Sequence, residues 1–514
     1  MNKESLSIVF STRKNNPEFI DHLKQTCGVI DVEILQYLNN GERSLTEIYN
    51  KGFKEAKNNI VVFSHDDIIF EQSSKWGRKI INHFQHSDYG ILGKAGTTSL
   101  TETGRWWDQP YLMVGHVWHQ GIDPKTREIK TWENTYSGYF ENKVIETILV
   151  DGLFFAIHRK RIKKFFDEHI KGFHFYDIDF SFSNHLEGVK VGIIFDMKIT
   201  HKSIGITNKE WEANRIVFVN KWKRYLPYNI KPQILYEDMN ITIEKQPKVS
   251  IIIPTKDRLD LLCRCINSIL EKTRYRNYTI YIVDKGSDNE TVDKMRDYIK
   301  QKDNMILKQY TSYNLPRILN DVVRNLIDTD TELLLFCHDD IKLLNDALSR
   351  CVQIYLNNKE DIGTIGIRLH FDDNSIQHAG ILLVIDQYHQ LGITNIGMKS
   401  YYSYYPGIER DTLGNTSAFM MVSRDLFLSL GGFPEYYEEC FTDVEFNLKS
   451  IIAGRVNYFA GDAVAYHYEP LLRSDNPEKL AKQNEDLQRL RAFIFQHVHD
   501  SKIIQYIRFA PLAI

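Results

Sequence analysis

The chain has 514 residues, 43% hydrophobic and 25% charged, with a formal net charge of −3. The length allows two or more α/β domains, and a near-neutral charge without a basic aromatic module argues against a nucleic-acid partner. Six scattered cysteines without zinc-type spacing point to a reducing cytosol, and no segment has the roughly 18 apolar residues of a membrane span.

Leu6-Ser7-Ile8-Val9-Phe10 opens the first half as a buried strand. A second apolar run, Ile60-Val61-Val62-Phe63, leads into Ser64-His65-Asp66-Asp67-Ile68. An acidic pair at the C-terminal end of such a strand lies where open α/β sheets bind ligands. Paired carboxylates there can hold a divalent cation, which can neutralise a diphosphate. Further on come the aromatic-rich stretches Arg105-Trp106-Trp107 and His116-Val117-Trp118-His119. Their rings suit stacking on sugar C–H faces but are equally core material. Asp177-Ile178-Asp179 and then Thr200-His201 close this half.

The stretch 227–247 is polar, proline-flanked and weakly periodic, which makes it a linker between domains at 1–226 and 248–475. Val249-Ser250-Ile251-Ile252-Ile253-Pro254-Thr255 opens the second half, and 258–271 has a helical apolar face. Tyr278 to Val283 is the next strand, ending at Asp284. Leu333-Leu334-Leu335-Phe336 then leads into Cys337-His338-Asp339-Asp340-Ile341, a second copy of the acidic strand end. Downstream, Thr442-Asp443-Val444-Glu445 matches the Asp177 segment and Tyr466-His467 matches Thr200-His201. Asp177 precedes His201 by 24 positions, and Asp443 precedes His467 by 24. Equal spacing supports an internal duplication. Alternating strands and helices in each half predict a mainly parallel sheet covered on both faces. The segment 476–514 is expected to be a helical tail that packs on the domain, with membrane-surface contact as the lesser alternative.

In order and spacing the second half resembles the GT-A glycosyltransferases of family 2, inverting enzymes that use nucleotide sugars. The elements that carry the resemblance are Val249 to Thr255, Val283-Asp284-Lys285-Gly286-Ser287-Asp288, His338-Asp339-Asp340, Ile376-Gln377-His378-Ala379-Gly380, Gly431-Gly432-Phe433-Pro434, Thr442-Asp443-Val444-Glu445 and Tyr466-His467. The segments at Ile376 and Gly431 are similar to those of bacterial O-antigen, capsule and rhamnan-type transferases. The first half resembles the same superfamily more distantly, so the fold implied is two tandem Rossmann-like GT-A domains.

The resemblance implies roles. Asp340 and His467 would ligate Mn²⁺ or Mg²⁺, and Asp67 and His201 would do so in the first half. The family often has Asp or Asn at the position of His338, so no metal role is assigned to it. Thr255, Asp284, Asp288 and Asp339 would bind the nucleotide sugar, with Asp66 as the counterpart of Asp339. No acid in the first half obviously replaces Asp284; Asn39 and Asn40 occupy that neighbourhood. Asp443 and Asp177 would act as general bases, although a helix N-cap is an alternative for Asp443.

The function implied is a bifunctional transferase that builds a bacterial surface glycan from UDP-sugars, or dTDP-sugars, on a glycan or lipid-linked acceptor. Such an enzyme would be cytoplasmic, peripheral at the inner membrane face. The competing reading makes the first half a non-catalytic carbohydrate-binding or scaffold module. A nucleotidyltransferase is disfavoured by the lack of a triphosphate loop.

Overall fold

A computed structural model describes residues 4–509, other than 123–126, 137–142, 204–206, 301, 312–313, 386–390, 400–408, 439, 469–476 and 498–500. The chain forms two compact units, Met1–Gln233 and Ile234–Ile514.

In the first unit three apolar strands make the parallel centre: β1 (Ser5–Thr12), β2 (Asp31–Leu38) and β3 (Ile60–Ser64). β1 pairs in parallel with both others. Helices Pro17–Cys27 and Leu45–Glu55 form the two crossovers. Every residue of β3 is buried, as a strand covered on both faces requires. Because β2 lies on one side of β1 and β3 on the other, the connections diverge at their C-terminal ends and leave a crevice there. The His65-Asp66-Asp67 turn stands in that crevice, between β3 and β4 (Ile68–Phe70). β5 (Phe154–His158) runs antiparallel to β3. Among the described residues the sheet order is Val144–Thr147, Val191–Ile194, Ile91–Gly93, β5, β3, β1, β2. β6 (Ile199–His201) belongs to a second sheet with β4.

The second unit repeats this plan. Its strands include β7 (Val249–Thr255), β8 (Tyr278–Asp284), β9 (Leu333–Cys337), β10 (Ile341–Leu343), β11 (Ile376–His378), β12 (Phe419–Ser423) and β13 (Val456–His467). The order β8, β7, β9, β12, Ile362–His370, β13 reproduces β2, β1, β3, β5, Ile91–Gly93, Val191–Ile194, with the same parallel and antiparallel senses. One difference matters at the site. β13 runs unbroken over 12 residues to His467, whereas the first unit reaches His201 through two separate strands.

Two helices begin in an unusual but shared way. α1 (Tyr176–Leu186) follows Phe175 at φ +65°, and α2 (Thr442–Ile452) follows Phe441 at φ +68°. A bulky residue in the left-handed region costs about 1–3 kcal/mol and persists only where its surroundings fix it. In both units it lies two residues before the aspartate expected to be the base.

The tail is part of the second unit. Its helix α3 (Pro477–His497) places Leu490 and Ile494 in a core with Ile381, Leu413, Val444 and Leu448. The tail also departs from the all-helical expectation. Ile507–Phe509 is a strand that adds in parallel to Ile381–Ile385, whose edge offers unpaired backbone groups. Residues 510–514 lie outside the described residues. Asp486, fully buried on α3, accepts from the backbone N–H of Glu438 and Cys440 at 3.1 Å each and pairs with Arg489 at 2.8 Å. It therefore ties α3 to the loop that enters α2. Asp486→Ala removes the acceptor shared by the Glu438 and Cys440 N–H groups and the buried partner of Arg489, and is expected to destabilise the unit by about 1–2 kcal/mol, read as a lower urea midpoint. An unchanged midpoint would remove this role.

Candidate functional site

In the second unit β10 pairs antiparallel with the end of β13, setting Ile341 opposite His467. This register brings His467 to the acidic turn. Its Nε2 is 3.1 Å from Asp340 Oδ1 and 3.3 Å from His338 Nδ1. His338, Asp340 and His467 each offer one ligand atom, all within 4.8 Å of one another. Asp340 Oδ1 is buried and has no aligned hydrogen-bond donor. Lone pairs that converge without a proton between them suit a divalent cation. Burial, and then the neighbouring His467, pushes His338 down to about 3, so its imidazole is neutral, the form that ligates metal. Burial also works to raise Asp340, but His467, His338 and Arg258 outweigh it and hold the carboxyl well below the ordinary range.

Arg258 braces the acidic pair. Its Nη1 lies 3.1 Å from Asp339 Oδ1 and its Nη2 donates to Asp340 Oδ2 at 2.7 Å. Thr255, at the end of β7, donates its hydroxyl to Asp339 Oδ2 at 2.7 Å. Beside it, opposite in the β7–β8 register, is Asp284. Asp284 is fully buried; its Oδ1 accepts from Ser287 N–H at 3.0 Å, while Oδ2 is buried without a partner. A buried acceptor left open is costly unless a ligand donates to it. Asp288, by contrast, is exposed and caps helix Asn289–Ile299 by accepting from Thr291 N–H at 2.7 Å.

Asp443 lies in the first turn of α2, and Phe441 holds the cap position, so the N-cap alternative does not apply. Asp443 Oδ2 accepts from Ser417 N–H at 2.8 Å.

The first unit builds the same cluster. Ile68 pairs opposite His201. His201 Nε2 is 3.2 Å from Asp67 Oδ1, 3.4 Å from His65 Nδ1 and 3.0 Å from Ser203 Oγ. His65, Asp67 and His201 form the second group able to hold a metal ion, and Asp67 Oδ1 is again buried without an aligned donor. Burial favours a neutral Asp67, yet His201 and His65 bring its carboxyl down to about 2. Asp177 accepts from Gly152 N–H at 2.5 Å, as Asp443 does from Ser417. Burial, and then the neighbouring Asp151, push Asp177 up to about 7.

These groups line a cleft of about 1050 Å³ together with Asp66, Trp107, Trp132 and Tyr136. The expected aromatic platform is thereby divided. Trp106 lines the cleft but is buried in the core, whereas Trp107 is half-buried and packs on Trp211. Trp118 lies under the Lys198 ammonium, 4.5 Å from it. Trp132, stacked on His119 with centroids 6.0 Å apart, joins the lining without having been singled out in the sequence.

The strand register also locates the position equivalent to Asp284. Thr12 pairs with Leu38 as Thr255 pairs with Asp284. The next N–H donates back in both units, Asn39 to Thr12 and Lys285 to Thr255, each at 2.9 Å. Leu38, 65% exposed, therefore stands where the second unit has its buried acid. Asn39 is one position further on. Its side chain serves its own loop, accepting from Gly41 and Arg43 N–H and donating to the Arg43 carbonyl. Similarly, Asn15 follows Thr12 by three residues where Arg258 follows Thr255. Sequence reasoning missed His65 and His338 as cluster members, although the histidine before both acidic pairs was a visible signal. It also missed Arg258 and Asp151.

Two α/β units of one topology, each with a His–Asp–His cluster and a helix-borne aspartate at the sheet's switch point, define a duplicated GT-A-type architecture. Residues 13–222 match a family model described as glycosyltransferase like family, and residues 250–430 match glycosyl transferase family 2. The chain thus carries two glycosyltransferase-type domains in tandem, and the second matches family 2. The O-antigen biosynthesis protein RfbC of Myxococcus xanthus is 30% identical over 234 residues, 45% of this chain and 18% of that protein. The GalNAc(5)-diNAcBac-PP-undecaprenol beta-1,3-glucosyltransferase of Campylobacter jejuni is 32% identical over 108 residues, 21% of this chain and 34% of that one. The chain thus spans about a third or less of these relatives' length. A solved structure of GalNAc-T7 with UDP, GalNAc and Mn²⁺ covers 45% of each chain at 13% identity and a TM-score of 0.38. Among the described residues no helix is long and apolar enough to cross a membrane.

Proposed function

We propose that each unit is a metal-dependent inverting glycosyltransferase site and that the chain builds a bacterial surface glycan of O-antigen or capsule type. The observation that carries this reading is the repeated pairing of a His–Asp–His cluster with an aspartate held by a backbone N–H at a helix start. Asp443 and Asp177 take the proton from an acceptor hydroxyl as its oxygen attacks the anomeric carbon opposite the departing diphosphate. The donating N–H of Ser417 or Gly152 fixes the carboxylate for that step. His338, Asp340 and His467, and in the first unit His65, Asp67 and His201, would hold Mn²⁺ or Mg²⁺. When bound, the ion offsets the charge of the leaving diphosphate. Asp284 receives a donor from the nucleotide, while Asp339 and Asp66 face the ribose or sugar. The donor is a UDP-sugar, or a dTDP-sugar. The acceptor is a glycan or lipid-linked glycan, the kind of molecule the relatives' names mention. Such an acceptor places the enzyme peripherally at the inner face of the membrane.

A second reading is favoured by Leu38, which leaves the first unit without a carboxylate at the Asp284 position. In that reading the first unit binds glycan and only the second transfers. Transfer from a panel of nucleotide sugars with Mn²⁺ separates the two, using wild type, Asp177→Asn and Asp443→Asn. Loss of a different linkage in each variant supports two sites. Loss only in Asp443→Asn supports the binding module, and no turnover on any glycan or lipid-linked acceptor overturns both.

The raised Asp177 gives the first site its own pH signature. The base form fills as pH rises through about 7, so kcat/KM in an Asp443→Asn background should fall about tenfold per unit below that point. A profile flat between pH 5.5 and 8.5 would exclude Asp177 as the base.

A further inference from the structure

The segment Ile376-Gln377-His378-Ala379-Gly380 carries part of the family resemblance, and its side chains reach both halves of the candidate site. β11 pairs antiparallel with Ile362–His370, with Ile376 opposite His370 but His378 opposite Leu369. One residue is therefore inserted, and it is Gln377. Such a β-bulge re-aims a side chain and is common beside active sites. Here the re-aimed amide meets the cluster: His467 Nδ1 lies 2.5 Å from Gln377 Oε1. Both residues are buried, at 6% and 4% exposure. His378, the neighbour, is otherwise engaged. Its Nδ1 donates to Asn395 Oδ1 at 2.9 Å, and its Nε2 accepts from Gly380 N–H at 3.2 Å and Thr416 N–H at 3.4 Å. It thereby ties the bulge to the loop whose Ser417 holds Asp443.

A neutral imidazole has one N–H and one lone pair, so the partner of one nitrogen decides what the other can do. An amide oxygen at Nδ1 requires the proton there. The lone pair is then on Nε2, the atom that faces Asp340 Oδ1 at 3.1 Å and His338 Nδ1 at 3.3 Å. With the other tautomer Nε2–H would point into the cluster and block a cation.

We propose that Gln377 is a positioning residue for the second unit's metal site, fixing the tautomer and ring plane of His467 so that Nε2 is presented to a divalent cation. This rests on the reading of His338, Asp340 and His467 as metal ligands. Outer partners of ligating histidines commonly contribute about 10–100-fold in metal affinity. The first unit differs at the same point: Ser203 Oγ approaches the cluster-facing Nε2 of His201 itself.

The test is Mn²⁺ binding, followed by electron paramagnetic resonance of the full chain without donor or acceptor. An Asp67→Asn background weakens the first unit's cluster and isolates the second. Gln377→Leu, which cannot accept the Nδ1–H, is expected to weaken Mn²⁺ about 10–100-fold. Gln377→Glu, which still accepts it, is expected to bind at least as tightly as the parent. His467→Ala should bind weakest. Parent-like affinity in Gln377→Leu, with His467→Ala impaired, would overturn the proposal alone. Equal loss in Gln377→Leu and Gln377→Glu would also overturn it, because a packing role does not distinguish an acceptor from an apolar side chain. If the parent itself binds no Mn²⁺, the metal reading fails and the proposal with it.

Discussion

Asp443→Asn is expected to lower transfer at the second site by about 10²–10⁴-fold, the range general-base catalysis supplies. The substitution is nearly isosteric. Its amide oxygen can still accept from Ser417 N–H, so the start of α2 and the Phe441 conformation that sets it are retained. What is lost is basicity: an amide cannot take the acceptor's proton as the new bond forms. In the proposed site donor binding falls to other residues, among them Asp284 with its open buried oxygen and the His338–Asp340–His467 cluster. The donor KM should therefore change little while kcat falls, the pattern of an interaction made in the transition state. Single-turnover transfer with saturating donor checks this. A kcat within about tenfold of wild type would remove Asp443 from the base role. The same change at Asp177 should act on the first site alone, since the two aspartates belong to separate compact units.

Much of this architecture is legible in the sequence because it is carried by local pattern. The apolar runs before His65 and His338 are fully buried strands, and the repeated spacing from Asp177 to His201 and from Asp443 to His467 spans a helix and the return to the acidic turn, by two strands in the first unit and by one in the second. Position in register is another matter. Leu38 can be recognised as the counterpart of Asp284 only once Thr12 and Thr255 are seen opposite them, because a strand's side-chain assignment depends on pairing. Gln377 has its role through one inserted residue, which no periodicity predicts. Asp288 is a candidate ligand in the sequence, yet a residue of that type ahead of a helix also caps it, and its carboxylate does so here. The tail's final strand exists because an edge elsewhere in the unit is open to it, a tertiary condition invisible at 507–509.

Asp340→Ala is expected to weaken Mn²⁺ at the second site by more than about 100-fold, above the usual loss of an outer partner. Its transfer should vanish at micromolar metal. Asp340 is the one carboxylate of its cluster; the other two members are imidazoles, and His338 is held neutral by burial. Hard divalent cations favour anionic oxygen, so two neutral nitrogens retain little affinity. The substitution also takes one carboxylate away from the Arg258 guanidinium, leaving its positive charge less compensated beside the cluster. Asp340→Asn separates these effects, because it keeps the shape and an acceptor for Arg258 while removing the charge. It should fall between wild type and alanine, with transfer partly restored by millimolar Mn²⁺. Asp67→Ala should do the same to the first site, where no arginine braces the pair at the position of Asn15. Removal of all metal by chelation should silence both sites together. Undiminished transfer by either Asp340 variant after chelation would show that the acidic turn serves the fold and not the diphosphate.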